Sequence, residues 1–301
     1  AMYRAKAQGK NSYVYYDADM HAAGMERLKL EGDLRKAIAR DELVLHYQPQ
    51  VDTVTGDIVG VEALLRWQHP EHGLVPPFKF ISLAEEIGLI ADLGNWTLRE
   101  ACRQLVELQE QGHMLAKMAV NVSPLQFNDD FIHEVSEVLY DTGIRPSSLV
   151  LEMTEGIAMD NTQDVIRGLK NLKALGVSLS IDDFGTGYSS LSYLSRFPLD
   201  DLKIDRSFVI DFDKSEADAS LVTAIIAMGK SMNLQLVAEG VETKAQYDFL
   251  TRNGASVIQG YLFSKPLPID ELRELLKPGY FTQQINELSG QGLRALKTDT
   301  R

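Results

Sequence analysis

Seven apolar runs in this chain each close on a charged or amide side chain. Glu62 interrupts Val61 and Ala63-Leu64-Leu65, Asn121 follows Met118-Ala119-Val120, and Glu152 follows Leu149-Val150-Leu151. Asp182-Asp183 close the run from Val177, Lys203 and Asp205 alternate with Leu202 and Ile204, Glu239 follows Leu236-Val237-Ala238, and Gln259 follows Val257-Ile258. Singly, each has a structural explanation, as a buried acid paired with a lysine or a side chain capping a turn. As a set they are several carboxylates and an amide oxygen without a converging histidine or cysteine, which describes a hard oxygen-donor site for Mg²⁺ or Mn²⁺ and suits zinc poorly. Glu62, Asn121, Glu152, Asp182 and Asp183 carry enough oxygens for two divalent ions, with Asp182 able to bridge them. A pair of ions roughly 3.5–4 Å apart acts on phosphate esters, lowering the pKa of a bound water while binding the phosphoryl oxygens. Lys203 and Glu239 suit the remaining roles of positioning and activating the attacker.

These side chains meet only if the segments carrying them end at one place. Val177, Leu179 and Ile181 alternate with Ser178 and Ser180, the two-residue period of a strand, and Gly185 and Gly187 break it. Neighbouring strand residues face opposite ways, so Asp182 and Asp183 are expected to share a site only because the strand stops there. Leu43–Val51 and Ile58–Trp67 are strand-like and joined only by residues 52–57, which permits an antiparallel hairpin and excludes a parallel crossover. Beyond them, helical patterns at about 79–87, 91–111, 128–141, 161–175, 216–232, 243–253 and 269–276 separate strands at 117–122, 148–153, 177–182, 200–204, 234–238 and 256–259. Eight strands with intervening helices predict an α/β fold, a (β/α)8 barrel whose first strand runs backwards, with an open doubly wound sheet as the alternative. The polar residues lie late in their strands, at the barrel face where active sites are built.

At 301 residues and 45% hydrophobic, the chain accommodates one large domain with appendages. Residues 1–17 are expected to be the end of another domain, 18–41 a linker helix with Leu30, Leu34, Ala37 and Ile38 on one face, and 42–277 the barrel. Residues 278–301 turn polar and are assigned no core role. A net charge of −13 argues against a nucleic-acid polymer or an anionic membrane as partner, so an anionic ligand needs a local cation. No apolar run approaches the roughly 18 residues of a membrane span, and no membrane contact is expected. Cys102 is the lone cysteine, which excludes a disulfide framework within the chain and favours a reduced, cytoplasmic setting. It is read as a packing residue. His69 and His72 fall in a Pro/Gly loop and are read as surface residues. Asp183-Phe184-Gly185 mimics a kinase triplet, but the other kinase motifs are missing from the sequence.

The same residues carry a resemblance. Glu62-Ala63-Leu64 with Leu65-Arg66-Trp67, Asn121-Val122-Ser123-Pro124, Glu152-Met153-Thr154-Glu155, Asp182-Asp183-Phe184-Gly185-Thr186-Gly187, Leu202-Lys203-Ile204-Asp205, Ala238-Glu239-Gly240-Val241-Glu242 and Gln259-Gly260-Tyr261 resemble the EAL-domain family, over about residues 28–276. The resemblance implies a modified TIM barrel with an antiparallel first strand. It further implies metal-dependent hydrolysis of one phosphodiester bond of cyclic di-GMP to linear pGpG, with a non-catalytic cyclic di-GMP receptor as the alternative. Carried over by position, it makes Glu62, Asn121, Glu152 and Asp182 metal ligands, with Asp183 serving the second Mg²⁺ or Mn²⁺. Lys203 would hold the nucleophilic water, Glu239 would be a metal-site or general-base carboxylate, and Gln259 would orient water or substrate. Arg66 would meet the ligand phosphate and Gln48 the guanine. Glu155 would brace the loop of Phe184, Gly185, Thr186 and Gly187, which in the family couples the site to dimerisation, so a homodimer is expected. Residues 1–17 resemble the last helix and strand of a GGDEF domain. Met153 stands where leucine is more usual, a packing swap of small effect.

Overall fold

Eight strands close into a barrel in this computed structural model, which describes residues 18–158, 162–185, 194, 196–210, 212 and 216–289. The expected GGDEF-like segment at 1–17, together with Thr186 and Gly187, lies outside the described residues. The chain divides into two compact units, residues Ala1–Val44 with Arg66–Leu93, and Leu45–Leu65 with Gly94–Arg301.

The larger unit is built on β1 (Leu43–Asp52), β2 (Ile58–His69), β4 (Met118–Val122), β5 (Leu149–Thr154), β6 (Ser178–Phe184), β7 (Asp201–Ile204), β8 (Gln235–Ala238) and β9 (Val257–Gln259). β2 and β4 to β9 run parallel in succession. β1 opposes β9 and also pairs with β2, which closes the sheet, so the expected reversed first strand holds and the open sheet is excluded. Helix α3 (Ile90–Glu110) precedes β4, α4 (Asp129–Thr142) follows β4, α5 (Thr162–Leu175) follows β5, the short α6 (Arg206–Ile210) and α7 (Glu216–Ser231) follow β7, and α8 (Lys244–Asn253) follows β8. Gly143 and Gly254 end α4 and α8 in the left-handed conformation.

Strand alternation explains why a barrel of this sequence has a polar interior. Val120, Leu151, Ile181, Leu202, Leu236 and Ile258 are buried in two hydrophobic clusters that also take in helix residues such as Leu105, Leu169, Val222 and Leu250. The residues between them, Asn121, Glu152, Asp182, Lys203 and Gln259, therefore face the other way, toward the barrel axis.

The smaller unit holds α1 (Ala18–Ala37), the end of β2, β3 (Gly73–Val75) and α2 (Pro77–Glu86). Leu34 and Ala37 of α1 are buried, whereas Leu30 and Ile38 are only half-buried. Trp67 is buried edge-on against Phe80, with ring centroids 5.8 Å apart, and its indole N–H donates to Glu42 at 2.9 Å. The strand β3 was not expected, and it pairs with β2 from Trp67↔Val75 to His69↔Gly73. His69 corrects the sequence reading: it is 2% exposed, because its Nδ1 accepts the backbone N–H of Glu71 at 3.1 Å and of His72 at 3.2 Å. The turn uses the imidazole as its internal acceptor. The assignment of no core role beyond residue 278 is also corrected. α10 (Thr282–Leu288) follows α9 (Ile269–Leu275), and Phe281 and Ile285 are buried.

Candidate active site

Lys203 is the centre of the polar interior. Its ammonium, on a side chain 1% exposed, lies 2.7 Å from Glu152 Oε2, 2.6 Å from Glu239 Oε1, 3.2 Å from Asp182 Oδ2 and 3.4 Å from Glu62 Oε2. The four acids come from β5, the residue after β8, β6 and β2, and register brings them level. Glu152 pairs with Ser180 two residues before Asp182, and Lys203 pairs with Val237 two residues before Glu239. One cation thus serves four carboxylates.

The paired aspartates are placed by a different device from the one expected, with Asp182 against Lys203 and the Asp183 side chain directed to Asp205. The strand does not stop at them: β6 runs on to Phe184, and the β6–β7 register shifts between Ile181↔Leu202 and Phe184↔Ile204. One extra residue on β6 makes a bulge. Asp183 sits within it at φ 55°, in the left-handed region that Asp tolerates better than most residues. Its N–H donates back to Asp182 Oδ1 at 2.8 Å. Gly185 follows at φ 98°, and its N–H donates to Glu155 Oε2 at 3.0 Å, so buried Glu155 braces the first residue after β6.

Glu62 is held by amides. Asn121 Nδ2 donates to Oε1 at 2.6 Å and Gln259 Nε2 donates to Oε2. Gln259 Nε2 also donates to Gln48 Oε1 at 3.1 Å, while Gln48 Nε2 donates to the Ser264 carbonyl at 3.1 Å. Gln48, expected to meet a guanine, is buried with both ends of its amide engaged in this ladder. Arg66 lies on β2 four residues beyond Glu62 and is half-buried.

The charge imbalance shows in the acids. Burial pushes the Glu152 carboxyl well above its usual range; Lys203 opposes this, and the charges of Glu62, Asp182 and Glu239 add to it. Glu239 is pushed up to about 8 by burial against Lys203, with Asp182 and Glu62 adding. Asp183 rises to about 6 through burial and the Asp182 and Asp205 charges. Burial acts upward on Glu62 too, but Lys203, Gln259 and Asn121 outweigh it and hold the carboxyl below its usual range. Burial would lower the Lys203 ammonium, but the four acids outweigh it and hold it firmly protonated.

Among the described residues no group of three or more His, Cys, Asp and Glu is drawn up around a common point as a metal cage, because the acids converge on Lys203 instead. The donor set nonetheless suits a hard divalent cation: oxygen donors, no sulfur or imidazole, and more negative charge than one ammonium offsets. Glu62, Glu152 and Asp182 would hold it, with the Asn121 amide oxygen, left over by Nδ2 bonding to Glu62, beside them.

One residue of the site went unread in the sequence, and another was read without a role. Gln50 on β1 donates from Nε2 to Gln259 Oε1 at 3.0 Å. Its signal was available, since Gln48 and Gln50 share the two-residue period of β1. Asp205, recognised only as polar, contributes charge to Asp183 and accepts the Ser207 N–H at 2.9 Å, fixing the first turn of α6.

Fold and site together define a (β/α)8 barrel with an acidic, oxygen-rich mouth at the carboxyl ends of its strands. The chain belongs to the EAL domain family, which it matches over residues 31–266. The curated relative "Bifunctional diguanylate cyclase/cyclic di-GMP phosphodiesterase MucR" of Pseudomonas aeruginosa is 49% identical over 273 residues, 90% of this chain and 40% of the relative. "Cyclic di-GMP phosphodiesterase PdeR" of Escherichia coli is 42% identical over 269 residues, 89% of this chain and 40% of the relative. The chain therefore spans about 40% of the length of these two relatives. The solved structure "PaMucR Phosphodiesterase, c-di-GMP complex" superposes with a TM-score of 0.79 at 49% identity, covering 81% of this chain and 99% of that one. A structure of the EAL enzyme Bd1971 with cAMP and cyclic di-GMP superposes with a TM-score of 0.80 at 34% identity, covering 92% of this chain and 73% of that one.

Proposed function

We propose that this barrel is a cyclic di-GMP phosphodiesterase that opens one phosphodiester bond to give linear pGpG. The observation that carries the reading is the convergence of Glu62, Glu152, Asp182 and Glu239 on Lys203 in a chain 49% identical to a relative bearing that activity in its name. Glu62, Asn121, Glu152 and Asp182 are proposed as ligands of one Mg²⁺ or Mn²⁺, and Asp183 as serving a second. Divalent ions bound there would supply an acidified water and charge neutralisation at the phosphate. Lys203, held protonated, cannot be the base; its N–H groups orient the attacking water and limit repulsion among the acids. Glu239, 2.6 Å from Lys203 Nζ, is assigned as a metal-site or general-base carboxylate. Arg66 is assigned to the substrate phosphate, Gln259 to water or substrate, and Gln48 to the guanine. Glu155 is assigned to the regulatory loop of Phe184, Gly185, Thr186 and Gly187.

The wider organisation belongs to the same proposal: residues 1–17 as the end of a GGDEF domain, 18–41 as a linker, a homodimer formed through the barrel, and a cytoplasmic location. Supporting it are the greater length of the relatives and the cyclase in one of their names. Among the described residues no helix is long and apolar enough to cross a membrane.

Incubation with cyclic di-GMP and Mg²⁺ or Mn²⁺, followed by chromatography, tests the reading. We expect pGpG from the wild type and none from Glu62→Ala. Binding without turnover under both metals would make the protein a receptor and overturn the proposal.

A further inference from the structure

Gln50 has no part in the assigned chemistry, yet its amide is buried against that of Gln259, its cross-strand partner on β9. The contact is directional. Gln259 Nε2 faces two acceptors at once, Glu62 Oε2 and Gln48 Oε1, the latter fixed as an acceptor because Gln48 Nε2 donates to the Ser264 carbonyl. That choice fixes Gln259 Oε1 on the opposite side, where it requires a donor, and Gln50 Nε2 at 3.0 Å is that donor. A glutamine amide turned over would set its oxygen against Glu62, leaving two acceptors face to face. The energy separating the two orientations is concentrated in these contacts.

The backbone makes room for the device. A Cβ at Gly60, on the neighbouring strand β2, would come 2.9 Å from Gln50 Oε1 and 3.3 Å from Lys117 Cβ, so the Gln50 amide would have to shift from its present place. Gly60 lies two residues before Glu62 on the same face of β2.

The geometry points to Gln50 as a positioning residue that locks the Gln259 amide and, through it, the Glu62 carboxylate, with Gly60 keeping its seat open. The inference rests on the phosphodiesterase reading for its catalytic consequence, but not for its effect on the site. Loss of a partner bonded directly to a metal ligand, as Gln259 is to Glu62, typically changes metal affinity or activity by roughly 10–100-fold, and Gln50, one bond further out, is expected at the low end of that range.

Three variants test it: Gln50→Met, which keeps the length and removes the amide; Gln50→Glu, which puts an acceptor where Gln259 Oε1 needs a donor; and Gly60→Ala, which leaves Gln50 in place and crowds its oxygen. The readouts are Mn²⁺ binding by electron paramagnetic resonance without substrate, kcat and KM for cyclic di-GMP, and the thermal midpoint. We expect Gln50→Met to weaken Mn²⁺ binding and lower kcat by about tenfold with KM little changed. Gln50→Glu should lose more, and Gly60→Ala should move in the same direction. Mn²⁺ affinity and kcat at wild-type level in a folded Gln50→Met, or equal losses in the Met and Glu variants, would overturn the inference. Should Gln50→Glu not fold, Gly60→Ala decides in its place, and wild-type values there also overturn it. If the wild type itself leaves cyclic di-GMP intact, the functional reading fails while the Mn²⁺ titration still decides the role of Gln50.

Discussion

Gly260 lies so close to Val241 that a Cβ on it would fall among the Val241 backbone atoms. The two segments meet just beyond Glu239 and Gln259, and Val241 is held from both sides: its N–H donates to the Gln259 carbonyl at 3.3 Å and its carbonyl accepts from Leu262 at 2.9 Å. Backbone, unlike the end of a side chain, has no rotamer by which to give way. Gly260→Ala should therefore cost about 1–3 kcal/mol, as overpacking does, and should lower kcat by displacing Gln259. A urea denaturation midpoint equal to the wild type would show that the two segments move apart freely.

Lys203 separates four acids that would otherwise repel one another. Removing one partner of a buried ionic cluster costs about 3–5 kcal/mol, because the remaining charge is left uncompensated. Lys203→Met is expected to lose that much stability in EDTA and to lose turnover. Mn²⁺ should restore more stability to this variant than it adds to the wild type, since the ion then supplies the missing positive charge. Calorimetric melting of both proteins with and without Mn²⁺ checks this, and an unchanged melting point in EDTA would deny Lys203 the role.

The alternation of strands with helices was legible in the sequence because each element keeps its own period in any tertiary arrangement, and the two-residue period of the strands also marks the inward-facing polar residues. Glu152, Asp182 and Lys203 stand out against apolar neighbours for this reason. The bulge at Asp182-Asp183 was not legible, since a shift in β6–β7 register depends on pairing with Ile204, far along the chain. Nor was the burial of His69 legible: Pro70 and Gly73 indicate a turn but not that the turn folds over its own imidazole. The helix at Thr282–Leu288 could have been read, because Phe281, Ile285 and Leu288 recur at helical spacing; a polar composition hid it. The assembly of acids around a lysine rather than around empty space is a property of charge balance, which spacing alone does not express.

Removing divalent metal should abolish turnover and loosen the site. Glu152 and Glu239 carry carboxyls raised by burial first and also by the charges of Glu62 and Asp182. A divalent cation relieves that repulsion, so Mn²⁺ should stabilise the fold by about 2.7 kcal/mol at a hundredfold excess over its dissociation constant. Glu152→Gln should reduce the gain. Turnover that survives thorough chelation, or a melting point indifferent to Mn²⁺, would contradict the metal mechanism.

Cys102 is 0% exposed, and burial pushes its thiol up to about 12. Only about one molecule in ten thousand would carry the thiolate at pH 8. Iodoacetamide should leave the native protein unmodified and label it fully in denaturant, as read by mass spectrometry. Rapid native labelling would mean that the helix bearing Cys102 opens readily.

Asp201, at the start of β7, sits buried 3.4 Å from Lys117 Nζ, yet its carboxyl is raised above the ordinary aspartate range. Burial is the largest cause and the Lys117 charge does not offset it. At low pH folded and unfolded chains both hold the protonated acid, and the group imposes no penalty. As pH rises from the unfolded value toward the raised folded value, the unfolded chain releases its proton first, so this group's contribution to stability falls across that window. Above the folded value the penalty is complete. Asp201→Asn keeps an oxygen for Lys117 and removes the buried charge, so it should be more stable than the wild type at about pH 7.5 and no more stable below about pH 4. Urea denaturation at the two pH values measures the difference. A destabilised Asp201→Asn at the higher pH would show that the ion pair with Lys117 outweighs the burial of the carboxylate.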